Sequence, residues 1–312
     1  MDDPTFTGLL GCELPLQLAG MGGMGSNPEL IAAVSNAGGL GMIALAWVPA
    51  PSVGQLIDAT AALTSKPFGV NFLMPFLDRD AVAAAAPRAR LVEFFYGDPD
   101  ASLVDLAHDG GALTAWQVGS GDEAKAAVDA GCDVVIAQGN EAGGHVRGTQ
   151  PLDETLRSVL GAVSVPVVAA GGIGTAARVK AVVDAGASAV RIGTRFVASR
   201  ESEAHPDYIA ALIAASADDT ELTETFGLDW PNAPHRVLKS SILAAQAGTD
   251  QVVGATKMGP MEIPVERFSG MWPSRDATGN IAAMCMYAGT SVDGVHDVKP
   301  AGEIVAELCS EL

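Results

Sequence analysis

Cysteine is scarce in this chain of 312 residues, and its four copies stand far apart. They are Cys12, Cys132, Cys285 and Cys309, and no two of them form a Cys-x-x-Cys pair. Structural zinc sites use closely spaced ligand pairs, so this spacing argues against one. Scattered cysteines are also typical of proteins from a reducing compartment, and we therefore expect a cytoplasmic protein.

Basic residues are few as well. The chain has 18 Lys and Arg against 37 Asp and Glu, which gives a formal net charge of −19. Nucleic acids and anionic membranes bind through clustered Lys and Arg, so we expect neither as a partner. Apolar runs such as residues 165–170 are far too short to span a bilayer. The first residues, Met-Asp-Asp-Pro, lack the basic and apolar segments of a signal peptide.

The sequence repeats a unit that consists of an apolar run, a turn, an Ala-rich helical stretch and a glycine. Hydrophobic residues make up 48% of the chain, enough for a large core. Residues 36–38, 129–131 and 184–186 each end a helical pattern on a glycine, and a short apolar run follows each of them. This alternation predicts strands joined by helices, as in a parallel sheet.

Eight such strands can be counted, the number that a (β/α)8 TIM barrel requires. An open doubly wound sheet is the alternative, which periodicity alone does not exclude. The predicted strands are residues 14–19, 40–46, 68–72, 91–95, 113–118, 134–137, 165–170 and 189–192. The predicted helices between them include residues 28–36, 53–64, 122–130 and 176–185.

The regular alternation stops after Ile192. We expect residues 1–200 and 272–312 to form the barrel, and residues 201–271 to form a smaller helical lobe inserted near its C-terminal part. Helical patterns in the lobe and in the tail cover residues 207–215, 236–247, 281–288 and 301–312.

A glycine-rich loop after the sixth strand is the candidate active-site loop. It runs from Gln138 through Gly143, Gly144 and His145, and loops at strand ends can hold reactive side chains over a rigid scaffold. An imidazole with an ordinary pKa near working pH suits proton abstraction or pairing with an anion, so we predict His145 as the catalytic residue. We expect Glu141 to cap or orient the loop.

The other strand ends carry glycines and neutral amides. Gly20, Met21 and Gly22 follow the first strand, Asn71 ends the third and Gln117 lies near the end of the fifth. Amides both donate and accept hydrogen bonds, so this set suits a polar heterocycle. The carboxylate clusters of glycoside hydrolysis or of hard metal ions are missing. No second ligand at suitable spacing accompanies His145, and we expect no metal site. The other four histidines lie outside these strand ends.

Two glycine-containing loops follow the last two strands, where TIM barrels usually bind phosphate. Gly172 and Gly174 follow the seventh strand, and Gly193 and Thr194 follow the eighth. The alternative is that these glycines only permit tight turns.

One pattern resembles a dinucleotide-binding fingerprint. Gly20-x-Gly22-x-x-Gly25 follows a strand and precedes a helix. The next strand ends in Leu-Ala-Trp without the acid that would bind a ribose hydroxyl, which disfavours this interpretation.

Several of these motifs together resemble the nitronate monooxygenase family, formerly called 2-nitropropane dioxygenases. The similar segments are Gln-Gly-x-Glu-Ala-Gly-Gly-His at 138–145, Ala-Gly-Gly-Ile at 170–173, Gly-Thr-Arg-Phe at 193–196, Asn-Ala-Gly-Gly-Leu-Gly at 36–41 and Phe-Gly-Val-Asn at 68–71. The resemblance covers most of the barrel in order and spacing.

That resemblance implies an FMN-dependent TIM barrel. Asn71, Gln138 and the Gly20–Gly22 loop would contact the flavin ring or ribityl chain. Gly143 and Gly144 would approach its face, and His145 matches the catalytic histidine. Gly172, Gly193 and Thr194 would hold the phosphate.

The implied reaction is the oxidation of alkyl nitronates, such as propionate 3-nitronate, by molecular oxygen to a carbonyl compound and nitrite. The related alternatives are an FMN-dependent NAD(P)H:quinone reductase or enoyl-ACP reductase. A non-redox barrel for a phosphate-bearing ligand is a third alternative. Whether the chain forms a homo-oligomer stays open at this stage.

Overall fold

A closed barrel of eight parallel strands forms the body of the protein. The computed structural model describes residues 5–22, 26–258 and 261–312; residues 1–4 and Gly25 of the fingerprint-like loop lie outside this part. The strands are β1 (Leu16–Leu18), β2 (Gly41–Ala44), β3 (Phe68–Leu73), β4 (Leu91–Phe95), β5 (Leu113–Val118), β6 (Val134–Gln138), β7 (Val167–Ala170) and β8 (Ala189–Ile192).

Neighbouring strands pair in the order β1-β8-β7-β6-β5-β4-β3-β2. A parallel bridge between Gln17 and Leu40 joins the two ends of this order and closes the barrel. All eight predicted strands are present, each within two residues of its predicted ends. The closure excludes the open doubly wound sheet, so the chain is a TIM barrel.

Helices cover the outside of the barrel. They are α2 (Pro28–Asn36), α3 (Ala50–Ala61), α4 (Arg79–Ala85), α5 (Ala101–Asp109), α6 (Gly121–Asp129), α7 (Leu152–Ala162), α8 (Ala176–Asp184), the short α9 (Thr194–Val197) and, from the end of the chain, α12 (Ala301–Leu308). The last helix contacts α2 and α8. Its buried face, with Ile304 and Val305, joins the main core between helices and strands, so the tail completes the outer ring as predicted.

The barrel interior is apolar at the N-terminal ends of the strands. The short helix α1 (Phe6–Leu10) lies below that end. Its Phe6 and Leu10 are fully buried and pack with Met42, Leu91 and Val134 from three strands. This packing closes the bottom of the barrel and leaves the C-terminal ends of the strands as its open side.

The lobe contains strands as well as helices, which corrects the expectation of a helical lobe. Its helices are α10 (Pro206–Ala214) and α11 (Lys239–Ala247), and its strands are β9 (Thr220–Thr223), β10 (His235–Leu238), β11 (Val252–Met258) and β12 (Met261–Glu266). A further strand, β13 (Thr278–Gly279), lies beyond residue 271 and pairs with β11. Residues 236–238 were predicted as helix, but β10 pairs there with β9 and with residues 144–145. These distant pairing partners override the local pattern.

The predicted helix over residues 281–288 was also wrong. Only a 3-10 turn, Ile281–Ala283, forms there. Tyr287 instead bridges to Val237 of the lobe. A separate apolar cluster, which includes Val197, Tyr208, Leu238 and Val295, forms the core of this part of the chain. No helix among the described residues is long and apolar enough to cross a membrane.

We predict that Phe6→Ala lowers the free energy of unfolding by about 3–5 kcal/mol, because it leaves a cavity in a fully buried cluster. Chemical denaturation followed by circular dichroism measures this change. The matched control is Leu63→Ala at an exposed site. An equal loss in both variants would contradict the role of α1 in closing the barrel.

Candidate active site

A large cavity lies between the C-terminal ends of the barrel strands and the lobe, with a volume of about 1450 Å³. Nearly all of the residues predicted from the strand ends line it. They are Gly20, Met21, Gly22, Asn71, Gln117, Gln138, Gly143, Gly144, His145, Gly172, Gly193 and Thr194. The structure thus brings together in one cavity residues that lie up to 174 positions apart in the sequence.

Gly174 is the exception, because it does not line the cavity. A Cβ atom there would stand 2.4 Å from the carbonyl oxygen of Ser291. The turn of residues 290–294 approaches the backbone at this point. Gly174 is therefore explained by close packing against that turn, and its prediction as a phosphate contact finds no support in the cavity lining.

Gly144 is a glycine that its backbone conformation requires. Its φ angle is +76°, in the left-handed region that side chains rarely adopt. A Cβ atom there would meet no described atom within 4 Å, so the position faces open space. The loop thus leaves room for a ligand beside His145.

Gln138 carries an unsatisfied polar atom at the end of β6. Its Nε2 donates to the carbonyl of His145 at 3.0 Å, whereas its Oε1 is buried and has no hydrogen-bond partner among the described residues. A buried acceptor without a partner is costly, and a bound ligand with an N–H or O–H group would satisfy it. The amide therefore fits a polar ring system such as that of FMN.

The Thr194 hydroxyl is held in place at the end of β8. Its Oγ1 accepts a hydrogen bond from the backbone N–H of Gly289 at 3.0 Å. The hydroxyl hydrogen is thereby free to donate elsewhere, and Thr194 lines the cavity. This arrangement, next to the Gly193 backbone, is compatible with a phosphate group.

His145 stands in an aromatic cluster formed by both parts of the molecule. Its ring stacks on Trp230 of the lobe, with centroids 4.1 Å apart. Tyr287 and Tyr96 lie 5.7 and 6.0 Å away. His145 also pairs through its backbone with His235 of β10, whose ring lies 5.3 Å away. The lobe therefore fixes the position of the predicted catalytic residue.

The pKa of His145 differs from the ordinary value near working pH that the sequence analysis assumed. Burial, with a smaller contribution from nearby His235, lowers the pKa of His145 to about 3. Burial also lowers the pKa of His235. The Nε2 atom of His235 accepts from the N–H of Phe226, so its Nδ1 donates to the carbonyl of Ala233. Both imidazoles are therefore neutral near pH 7.

Glu141 orients the loop as predicted. Its carboxylate accepts the backbone N–H of Leu152 at 2.9 Å, at the beginning of α7. A negative charge at a helix N-terminus is favourable, so this contact ties the loop to the barrel wall. Arg147 forms ion pairs with Asp98 and Glu123 and does not line the cavity.

A layer of polar side chains lies at the floor of the cavity and directly below it, and sequence reasoning predicted only its Asn71. Glu93 of β4 accepts hydrogen bonds from Asn71 at 2.6 Å and Gln17 at 2.9 Å, and it forms an ion pair with Arg191 of β8. A signal was available, because Glu93 and Arg191 are opposite charges inside otherwise apolar strands. His235 and Trp230 gave no comparable signal.

Metal binding finds no support in the part of the chain that the structure describes. No cluster of three or more His, Cys, Asp or Glu side chains there could hold a metal ion. The cavity is lined by neutral amides, an imidazole, backbone loops and charged residues that include Arg191 and Arg275.

The fold and the site define a class of protein: a TIM-barrel enzyme whose cavity lies at the C-terminal ends of the strands. The sequence model of nitronate monooxygenases matches residues 3–86 and 74–311. The chain belongs to the nitronate monooxygenase family, and it is an oxidoreductase of that family.

The names of the relatives fall into more than one functional class. A probable nitronate monooxygenase of Staphylococcus aureus (strain JH9) is 31% identical over 71% of this chain and 75% of its own length. A (3aS,4S,5R,7aS)-5-hydroxy-7a-methyl-1-oxo-octahydro-1H-indene-4-carboxyl-CoA dehydrogenase of Rhodococcus jostii (strain RHA1) is 34% identical over 76% of this chain. The chain spans 66% of the length of that dehydrogenase.

Two solved structures resemble the whole chain. FabK from Thermotoga maritima is 29% identical with a TM-score of 0.80, covering 99% of this chain and 96% of that chain. Nitroalkane oxidase from Streptomyces ansochromogenes is also 29% identical, with a TM-score of 0.77 over 98% of this chain and 97% of that chain. Both support the barrel fold and the family.

We predict that His145 does not titrate between pH 5 and pH 8 in the ligand-free protein. Its lowered pKa means that protonation begins only as the pH falls towards 3. Proton NMR of the imidazole C2–H, assigned by comparison with His145→Ala, measures this. In His235→Asn the pKa should rise but stay below its ordinary value, because burial is the larger cause. A midpoint near 6.5 in the parent protein would contradict the assignment.

Proposed function

We propose that this protein is an FMN-dependent enzyme that oxidises alkyl nitronates with molecular oxygen to a carbonyl compound and nitrite. The observation that carries the proposal is a neutral His145 on the cavity wall whose ring nitrogens have no hydrogen-bond partner among the described residues. Such a ring can bind a substrate directly. Family membership supports the same class of reaction.

The residues present fit FMN. In this proposal Gly20, Met21, Gly22, Asn71, Gln117 and Gln138 hold the ring and ribityl chain, while Gly172, Gly193 and Thr194 hold the phosphate. The unsatisfied Gln138 Oε1 would gain a partner. Bound FMN would supply the electron transfer and the reaction with oxygen, and the protein would supply position and charge.

His145 would then act as a hydrogen-bond donor to the substrate. A nitronate is already deprotonated at carbon, so it needs no strong base. A neutral imidazole can donate its N–H to a nitronate oxygen, and the approaching negative charge raises the pKa of the ring. A base with a pKa of about 3 removes protons poorly from a neutral nitroalkane. The proposal therefore favours nitronates over neutral nitroalkanes.

The size of the cavity supports a second candidate, an FMN-dependent reductase or dehydrogenase. Its volume of about 1450 Å³ exceeds the roughly 300–1,000 Å³ of pockets for single small ligands. A nicotinamide or another bulky substrate could therefore lie beside the cofactor. The dehydrogenase relative and the likeness to FabK agree with this candidate.

We predict that the purified yellow protein consumes oxygen and releases nitrite with propionate 3-nitronate, and that His145→Ala lowers this rate by a factor on the order of 10². An oxygen electrode and a nitrite assay measure both. His108→Ala, which removes a surface histidine paired with Asp133, is the matched control.

Three results would argue against this proposal. Rapid NAD(P)H oxidation by a quinone or an enoyl thioester, without nitronate oxidation, would favour the reductase. A colourless protein that takes up no FMN would favour the non-redox barrel. An unchanged rate in His145→Ala would remove that residue from the reaction.

We also predict that Gln138→Leu weakens FMN binding by a factor on the order of 10, because the ligand loses a hydrogen bond to a buried amide. Fluorescence titration of the flavin-free protein measures the Kd. Gln150→Leu, at an exposed position outside the cavity, is the control. Equal FMN affinities for Gln138→Leu and the parent protein would contradict the placement of this amide.

A further inference from the structure

The ion pair between Arg191 and Glu93 crosses the barrel. Arg191 lies in β8 and Glu93 in β4, and three strands separate them in either direction around the closed order. The two residues thus extend from opposite walls, and their contact lies near the barrel axis. The Arg191 side chain is 7% exposed and the Glu93 side chain 0%.

The carboxylate of Glu93 is fully occupied. Its Oε1 accepts from Asn71 Nδ2 at 2.6 Å and from Arg191 Nη1, and its Oε2 accepts from Gln17 Nε2 at 2.9 Å. These donors come from three other strands. Glu93 does not line the cavity, so its negative charge is enclosed below the floor.

The guanidinium of Arg191 is only partly occupied. A guanidinium has five N–H donors, but in the described part of the chain only Nη1 has a hydrogen-bond partner. Arg191 lines the cavity, unlike Glu93 and Gln17. The ion pair is therefore oriented, with its cation facing the cavity and its anion facing the interior.

Filling the barrel does not by itself explain this orientation. Apolar residues of similar volume fill a buried space with equal or greater stability than an ion pair. The adjacent layer below, with Leu91 and Val134, is apolar. A ligand that becomes negatively charged above the floor would explain why a cation with unused N–H donors lies there.

We propose that Arg191 is a positioning residue that stabilises negative charge on the bound isoalloxazine ring. The proposal rests on the FMN assignment made above. Gly193 and Thr194, the proposed phosphate contacts, follow Arg191 by two and three residues on the same strand end. A ring that extends from that phosphate over the barrel opening lies above the guanidinium. Positive charge near the ring stabilises its reduced, anionic form.

Sulfite provides a probe of this charge that does not depend on turnover. The sulfur lone pair of sulfite adds to N5 of the oxidised ring and forms an S–N bond, and the negative charge moves onto the pyrimidine part of the ring. A nearby cation strengthens this addition. The Kd for sulfite, read from the loss of flavin absorbance in the holoenzyme, therefore reports the charge beneath the ring.

The two members of the ion pair should act in opposite directions. Arg191→Gln should weaken sulfite binding by a factor on the order of 10 or more, because the ring loses a nearby positive charge. Glu93→Gln should strengthen it, because the cation is no longer partly neutralised. Arg178→Gln, which removes the same charge from a surface pair with Asp153, should leave the Kd unchanged.

A purely structural ion pair would give a different pattern. Both Arg191→Gln and Glu93→Gln would then lower stability, and sulfite affinity would shift in the same direction or not at all, which overturns the proposal. If Arg191→Gln does not fold, the sulfite affinities of Arg191→Lys and Glu93→Gln still test the proposal. Retained affinity in the former with increased affinity in the latter supports the proposal, and any other pattern overturns it.

The test of Arg191 can be separated from the test of nitronate oxidation. A holoenzyme that binds FMN but oxidises no nitronate contradicts the reaction and still tests Arg191. A protein that binds no FMN overturns both assignments.

Discussion

The closure of eight strands around one axis limits which side chains can occupy the interior of the barrel. The inward-facing side chains must fill the space that closure creates. At the N-terminal ends apolar residues and α1 fill it. At the C-terminal ends Glu93 and Arg191 meet across the axis, with Asn71 and Gln17 around them. Asn71 and Arg191 of that layer line the floor of the cavity, Glu93 and Gln17 lie beneath it, and the glycine loops surround the floor. The geometry of the site therefore depends on how the barrel is filled.

The lobe determines the surroundings of His145, the predicted catalytic residue. The backbone pairing of residues 144–145 with β10 ties the active-site loop to the lobe. Trp230 then covers one face of the His145 ring. This covering removes water from the imidazole, and desolvation is the main reason that its pKa falls to about 3. The site therefore depends on both the barrel and the lobe.

The sequence predicted what depends on local pattern. The eight strands could be located because they are short apolar runs, and several of the loops at their ends could be located because glycines or amides follow, as at Gln138 and Gly193. The strands of the lobe, the histidine pair and the Arg191–Glu93 contact could not be located in this way. Each depends on partners that are distant in the sequence, 90 positions apart for His145 and His235. Local periodicity carries no information about such partners.

The distribution of tryptophan shows where relatives that share this barrel can differ. Three of the four tryptophans, Trp47, Trp230 and Trp272, line the cavity, while Trp116 is buried in the core. Trp47 belongs to a loop after a barrel strand, and the other two belong to the lobe and the segment beside it. The floor of the cavity and the glycine-containing loops after β7 and β8 belong to the barrel frame. A fold can retain a cofactor site on such a frame while its loops and lobe change the substrate. Relatives named as monooxygenase and as dehydrogenase are compatible with one barrel for this reason.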